Sequence, residues 1–155
     1  MDIQSKAHAL MAAVGPALDL LAVDEYEAEG MWHIAIDENS ILFAEIDRAR
    51  GLLVLSADVG TPNAADRAPL YGCFLQYNHF WDSTYGMRLS VESPDGACWL
   101  IADVAIDGMD VEAFGARLKN FAEKAAGWRA IVAKFGTGAK AGEEVPSLLG
   151  NLIRG

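Results

Sequence analysis

The chain has few residues that could cross-link it. Cys73 and Cys98 are the only cysteines among 155 residues. Their spacing fits no metal-binding motif, and two thiols do not form a disulfide-rich scaffold. Since a free cysteine packs like a small hydrophobic side chain, both are expected to be reduced thiols inside the protein. The fold must therefore depend on an apolar core, which a chain of this length can form within one domain.

Positive charge and long apolar runs are also scarce. Twelve basic residues face 22 acidic ones, so the formal net charge is −10. Such a field repels phosphate backbones and anionic lipid headgroups, so neither nucleic acid nor a membrane is an expected partner. No segment approaches the ~20 apolar residues of a membrane-spanning helix. The N-terminal MDIQSKAHAL, with Asp2 and no continuous apolar stretch, is not typical of a signal peptide, and a cytoplasmic location is predicted.

Hydrophobic residues make up 52% of the chain, and their spacing predicts an α+β fold. Intervals of three and four indicate helices, whereas alternation indicates strands joined by short polar turns. The predicted order is α-β-β-β-α-β-β-α, with a twisted antiparallel sheet packed by helices. The predicted helices cover residues 3–21, 70–81 and 111–132, and the predicted strands cover residues 31–37, 40–47, 51–59, 87–93 and 97–106.

Local signals set the expected boundaries. Pro16 lacks an N–H and clashes with the carbonyl of Ala12, so the first helix either kinks or ends there. Asp110 is the predicted N-cap of the last helix. Residues 1–135 are expected to form a single domain. The glycine-rich residues 136–155 are expected to form a flexible tail, whose SLLGNLI segment could dock on the body.

The segment LYGCFLQYNHFW, residues 70–81, carries more apolar surface than one helix face needs. It has one narrow apolar stripe for its own sheet and a second apolar group on the other side. A second copy of the chain is the simplest cover for that group, because a large exposed patch on a monomer would be a binding site or a hazard. The alternative is cover by the flanking loops and the last helix. The stripe consists of Leu70, Phe74, Tyr77 and Trp81, and the second group consists of Tyr71 and Leu75.

Groups that could support chemistry are few and poorly spaced. His8, His33 and His79 are the only histidines, and none has a second ligand at the spacing that zinc sites use. The best candidate for metal binding or thiol catalysis combines Cys73, His79 and Asp82. Cys73 lies on the apolar flank of the predicted helix and His79 on its polar strip, so the two side chains diverge.

Two other patterns have simpler explanations than a functional site. Glu25, Glu27 and Glu29 precede the first predicted strand, where a solvated loop is favoured over a carboxylate pair. GTGAKAG, residues 136–142, lacks the preceding strand and the following helix of a phosphate-binding loop. The residues therefore predict no catalytic group, no metal site and no cofactor, and an enzyme is not expected.

The chain resembles a known family in its size, acidity, predicted element order and hydrophobic patterns. The best match covers residues 70–132. It includes LQYN (75–78), GMRLSVESPDGACWLIADVAI (86–106) and DVEAFGARLKNFAEKAAGW (110–128). These features resemble the class I type III secretion chaperones of the Tir-chaperone type, over about residues 5–133 in all.

The resemblance implies a homodimer that binds the N-terminal region of a secreted effector protein in extended form and keeps it soluble for export. It implies no catalytic residue and no cofactor. An extended segment can add a strand at a sheet edge while pockets take alternate side chains. Pro16 departs from the family's uninterrupted first helix. The implied effector surface comprises Leu10, Met11, Val14, Trp32, Ile34, Ile36, Leu42, Ala44 and Leu53, and the implied dimer interface comprises Tyr71, Leu75, Asn78, Met87, Leu89 and Trp99.

Other interpretations stay open. Each of these apolar residues could belong to the core instead of a binding surface. The same fold could serve a sensory or regulatory adaptor, whose partner would be a folded cytosolic protein. A small enzyme or ligand-binding domain would need a deep pocket with converging polar groups, and the sequence offers few such groups.

Overall fold

The structure, a computed structural model, describes residues 2–26 and 30–136. Within these residues it contains three α-helices and six strands of one sheet, which confirms the predicted α+β class. The predicted tail after Gly136, with its SLLGNLI segment, lies outside the described residues, as do Glu27 and Glu29. The helices are α1 (Ile3–Leu18), α2 (Arg67–His79) and α3 (Val111–Gly136), and the strands are β1 (Ala22–Glu25), β2 (Met31–Asp37), β3 (Ser40–Asp47), β4 (Leu52–Gly60), β5 (Met87–Val91) and β6 (Cys98–Val104).

The six strands follow the order β1-β2-β3-β4-β6-β5. The pairs β1–β2, β2–β3, β3–β4 and β5–β6 are antiparallel. In the register of β2 with β3, Ile34 lies opposite Leu42 and both are buried, whereas His33 lies opposite Phe43 and both are half-buried. Alternate residues therefore face a buried core on one side of the sheet and a more open surface on the other.

One strand is additional to the predicted order. Ala22–Glu25 forms β1, the outermost strand, in which Val23 lies opposite Ile34 of β2. The sequence predicts a solvated loop at Glu25, and that prediction is wrong. The segment has little alternation of its own, and its strand conformation depends on backbone pairing with β2, which side-chain patterns do not report.

The first helix continues through its proline. α1 ends at Leu18, so Pro16 does not terminate it, although the Ala12 carbonyl has no N–H from Pro16 to accept. Asp19 ends the helix in the left-handed conformation, with φ 52° and ψ 46°. The N–H groups of Asp19 and Leu20 donate to carbonyls of the last turn.

The other two helices begin at clear signals. The Asp110 carboxylate accepts a hydrogen bond from the Ala113 N–H at 2.8 Å, which confirms the predicted cap of α3. α2 begins at Arg67, three residues before the predicted start, and Pro69 lies in its first turn. Proline is tolerated there because the first N–H groups of a helix have no intrahelical acceptor. Neither α2 nor any other described helix is long and apolar enough to cross a membrane.

Contacts divide the chain into two compact units, each with its own buried side chains. Unit 1 comprises Met1–Ala57 and Asp103–Glu123, and unit 2 comprises Asp58–Ala102 and Lys124–Gly155. The prediction of a single domain over residues 1–135 stays a prediction. Large buried side chains of unit 1 include Val14, Trp32, Ile34, Leu42, Phe114 and Leu118, and those of unit 2 include Leu70, Phe74, Tyr77, Leu100 and Trp128.

Aromatic packing dominates unit 2. The indole of Trp128 meets the rings of Phe74 and Tyr77 edge-on, at centroid distances of 5.5 and 5.1 Å. Burial raises the pKa of Tyr77 to about 12. These contacts fix α2 against the second half of α3. Leu70, Phe74 and Tyr77 of the predicted stripe are buried, whereas Trp81 lies after the end of α2 and is exposed.

Candidate functional site

A groove lies between the end of α1 and β1 in unit 1. Its volume is about 380 Å³, which suits one or two side chains and is at the small end for a ligand pocket. Gly15 permits the approach of α1 to β1, because a Cβ at this position would lie 3.3 Å from Val23 Cγ2. The groove is lined by Met11, Ala12, Gly15, Pro16, Asp19, Leu20 and Val23.

The edge of β1 runs beside this groove. The Tyr26 N–H donates to the Met31 carbonyl at 2.8 Å, which makes these two residues a hydrogen-bonded pair. Hydrogen-bonded pairs alternate in an antiparallel ladder, so Asp24 also directs its N–H and C=O toward β2. Val23 and Glu25 direct theirs away from β2, toward the side where the strand order ends. The edge can therefore accept a further strand.

Ring contacts hold β1 on the sheet. Tyr26 stacks on His33 with ring centroids 4.4 Å apart, and His33 meets Phe43 edge-on at 4.7 Å. On the other face, His8 of α1 meets Trp32 edge-on at 5.1 Å. These contacts position a short strand that has few apolar side chains of its own.

The charged side chain of the groove lining is an anion. The Ala12 carbonyl lacks the N–H that any residue except proline would supply at position 16. The last turn of α1 contains no basic residue, so the partial negative charge at the helix end is not offset from within the helix. Among the described residues, the Asp19 carboxylate forms no ion pair. The groove thus combines apolar side chains, here called its apolar floor, with polar backbone and a negative rim at Asp19.

Unit 2 carries a second unusual surface, formed by large apolar side chains that water reaches. Leu75 of α2 is 71% exposed and Trp81 of the following turn is 73% exposed. These side chains belong to α2, to the turn that follows it and to β5, and large exposed apolar side chains are typical of interaction surfaces. We call this set the apolar patch; it comprises Leu75, Phe80, Trp81, Tyr85 and Val91.

The outer edge of β5, in contrast with that of β1, is largely closed by its own unit. The Asn78 amide accepts from the Leu89 N–H at 2.9 Å and donates to the Leu89 carbonyl at 3.0 Å. Thr84 does the same for Met87: its carbonyl accepts from the Met87 N–H, and its hydroxyl donates to the Met87 carbonyl, both at 3.0 Å. Thr84 is 2% exposed, and this pairing explains a buried hydroxyl.

The residues predicted for effector binding lie mostly beneath the surface. Eight of the nine are buried in the core of unit 1, and Ile36 is half-buried. Ile36 falls where the β2–β3 register shifts, between Ala35 and Asp37. Met11 alone also lines the groove. The buried eight are Leu10, Met11, Val14, Trp32, Ile34, Leu42, Ala44 and Leu53.

The residues predicted for the dimer interface divide into two groups. Met87 and Leu89 are buried in unit 2, and Asn78 is committed to the β5 edge. Leu75 is open to solvent, while Tyr71 and Trp99 are half-buried. Their polar atoms have partners: the Tyr71 hydroxyl donates to the Pro94 carbonyl at 3.3 Å, and the Trp99 Nε1–H donates to the Glu92 carboxylate at 3.2 Å.

The groupings considered for chemistry do not assemble into a site. Cys73 is half-buried and Cys98 is buried, and both are free thiols. Burial raises the pKa of Cys73, and burial together with the Asp58 charge raises that of Cys98 to about 11. Such thiols are poor nucleophiles at neutral pH. Among the described residues, no group of three His, Cys, Asp or Glu could hold a metal ion.

Several surface residues escape the sequence patterns. Asp19, Leu20 and Val23 line the groove, yet they follow the periodic part of the first helix and precede the first predicted strand. The sequence signal that could have located them is Gly15-Pro16: a glycine lets another segment approach the helix closely, and a proline often lies near a helix end. Tyr85 has φ 54°, in the turn between α2 and β5, and nothing in the sequence predicts its exposure.

A family profile identifies this arrangement. The profile of the Tir chaperone protein (CesT) family matches residues 17–129, more than half of the chain. The chain belongs to the Tir chaperone family. The predicted resemblance to type III secretion chaperones is thereby confirmed, and the match includes β1 and α2. This is a family of chaperones and not of enzymes. No curated protein sequence matches the chain significantly.

Solved structures of secretion chaperones share the fold. ExsC, in the crystal structure of the ExsC–ExsE complex, has a TM-score of 0.68 at 21% identity, covering 85% of this chain and 97% of ExsC. SchA, in the HopA1–SchA chaperone–effector complex, has a TM-score of 0.64 at 16% identity, covering 82% and 95%. The Yersinia pestis type III secretion chaperone SycH, in complex with a stable fragment of YscM2, has a TM-score of 0.58 at 18% identity, covering 76% and 95%.

Proposed function

We propose that this protein is a cytoplasmic type III secretion chaperone that binds the N-terminal region of a secreted effector as a homodimer and keeps it soluble and export-competent. The observation that carries the proposal is the open edge of β1 beside an apolar groove. Family membership supports it. So do the fold relatives, which include chains crystallised with partner proteins in the ExsC–ExsE and HopA1–SchA complexes.

The client binds by adding a strand to β1. Its backbone pairs with the outward N–H and C=O groups of Val23 and Glu25, and one alternate side chain enters the groove. Ordering an extended segment costs conformational entropy, so backbone pairing alone is insufficient and side-chain burial must contribute. The residues that the sequence assigns to this surface are mostly buried in unit 1, so the exposed Ala12 and Pro16 and the half-buried Leu20 contact the client.

The homodimer forms through the apolar patch of unit 2. The patch offers two strongly exposed side chains, Leu75 and Trp81, and large hydrophobic side chains are typical of the centres of protein interfaces. An interface with two-fold symmetry buries the same patch on both copies. The half-buried Tyr71 and Trp99 lie in the same unit and would form the rim.

Co-expression with the product of the neighbouring gene, followed by co-purification, tests the proposal. Ala12→Trp fills the groove from an exposed position of α1, whereas Ala13→Trp places the same bulk one residue away, at an exposed position that does not line the groove. We expect Ala12→Trp to lose the client and Ala13→Trp to retain it. Equal retention by both variants would contradict the groove as the binding site.

A proline tests strand addition separately. Glu25→Pro removes an outward N–H of β1 but no hydrogen bond to β2, while Glu25→Ala keeps the N–H and removes only the carboxylate. We expect only Glu25→Pro to weaken binding of the client's N-terminal segment. Binding of the folded client but not of this segment, in the wild-type protein, would instead favour the regulatory adaptor.

A further inference from the structure

The groove beside β1 carries negative charge as well as apolar side chains. Its lining includes the Asp19 carboxylate and contains no cationic side chain. The carboxyl end of α1 adds partial negative charge at the same place. The Asp19 carboxylate and the end of α1 therefore favour a positively charged group at the rim.

We propose that the groove selects a lysine or arginine side chain of the client segment, whose methylene stem lies on the apolar floor and whose cationic head meets the rim. This inference rests on the proposed function, because it specifies the residue that the added strand presents. Long basic side chains bury their stems on apolar surface and keep their charge near water. Here the stem would contact Met11, Pro16 and Val23, and the head would reach Asp19.

The proline contributes directly to this preference. In an uninterrupted helix the residue-16 N–H would occupy the Ala12 carbonyl, and the groove would offer one acceptor fewer. With Pro16 the carbonyl keeps its hydrogen-bonding capacity and can accept from an ammonium or a guanidinium. The break in the helical pattern is thus a recognition feature of the groove.

Two cations of unit 1 are engaged by other carboxylates. Lys6 of α1 is paired with Asp107, and Arg50 is paired with Asp47 and Asp103. Glu25, on the same edge strand, lies 3.8 Å from His8 and forms no ion pair with a lysine or arginine among the described residues. Together with the formal net charge of −10, these pairings leave the groove region attractive to a basic segment.

Display selection provides an unbiased test without a known client. Random peptides of about twelve residues, long enough to pair along β1 and extend beyond it, are selected on the wild-type protein and two variants. Asp19→Asn removes the rim charge, and asparagine tolerates the left-handed backbone at this position. Asp24→Asn makes the same change in net charge, but residue 24 alternates to the face opposite Val23 and is the matched control.

We expect wild type and Asp24→Asn to enrich alternating apolar peptides with lysine or arginine at one position, and Asp19→Asn to lose that enrichment. For a selected peptide, replacing its basic residue by methionine should weaken binding about three- to tenfold on wild type and not on Asp19→Asn. Apolar peptides without a preferred basic position, or an equal loss on Asp19→Asn, would overturn this inference alone. Failure to select any extended peptide would overturn the proposed function with it.

Discussion

Replacing Leu75 by alanine should dissociate the dimer and leave the protomer folded. The side chain is 71% exposed, so truncation removes little of the packing within unit 2. The same atoms are buried in the proposed interface. Leu75→Ala therefore separates association from folding, which a change at the buried Met87 or Leu89 cannot do.

The expected loss of binding free energy follows from the exposed part of the Leu75 side chain and from the two-fold symmetry of the dimer. Complete burial of a leucine side chain is worth about 1.5 to 3 kcal/mol, so covering the exposed part of Leu75 contributes about 1 to 2 kcal/mol. A two-fold interface contains this residue twice, which makes the loss about 2 to 4 kcal/mol per dimer. The dimer dissociation constant should rise about 30- to 700-fold, at about 1.4 kcal/mol for each factor of ten.

Sedimentation equilibrium over a concentration series measures this constant directly. Leu21→Ala is the matched control, because Leu21 is 64% exposed and belongs to unit 1, whereas the apolar patch belongs to unit 2. It should leave the dissociation constant unchanged, and circular dichroism should show both variants folded. A wild-type protein that stays monomeric at every concentration would refute the reasoning, and so would a Leu75→Ala dimer as tight as wild type.

Three further changes follow from contacts within the units. Asn78→Ala removes two hydrogen bonds from Leu89 and should lower the free energy of unfolding by about 1 to 3 kcal/mol in urea titrations; a change below about 0.5 kcal/mol would contradict the role of the amide. The free energy of unfolding should fall as pH rises above about 9. The unfolded chain releases the Cys98 and Tyr77 protons near pH 9 and 10, whereas the folded chain retains them to about pH 11 and 12. Urea titrations across this range should show a shallower fall for Cys98→Ala, and an identical fall would argue against burial as the cause. Pro16→Ala restores a helical N–H in α1 and should raise the free energy of unfolding by about 1 to 3 kcal/mol; a loss of stability would show that the helix end requires proline.

Periodicity predicted the architecture well because burial enforces it. Trp32 and Ile34 alternate, and a strand with one covered face leaves no other register. The same logic found the stripe of α2 and the cap at Asp110. It missed β1, whose strand conformation depends on a partner strand more than on its own side chains.

The binding surface was harder to predict for a physical reason. Apolar alternation identifies which side chains share a face but not whether the chain itself or a partner covers it. Leu42 and Ala44 are therefore indistinguishable in the sequence from residues of an interface, although both are buried in unit 1. The groove depends on the approach of α1 to Val23 at Gly15, which is a tertiary property.

The β1 edge of the sheet is open and the β5 edge is largely closed, and this difference limits how copies of the protein can assemble. Asn78 and Thr84 occupy backbone groups at the β5 border, where an invading strand would otherwise attach. Because β1 is the more open of the two edges in the described residues, edge-to-edge pairing of two copies would join one β1 to another and would end at the dimer. If β1 is the edge that pairs with the client, as proposed, the closed β5 edge prevents the free protein from growing into an open-ended fibre.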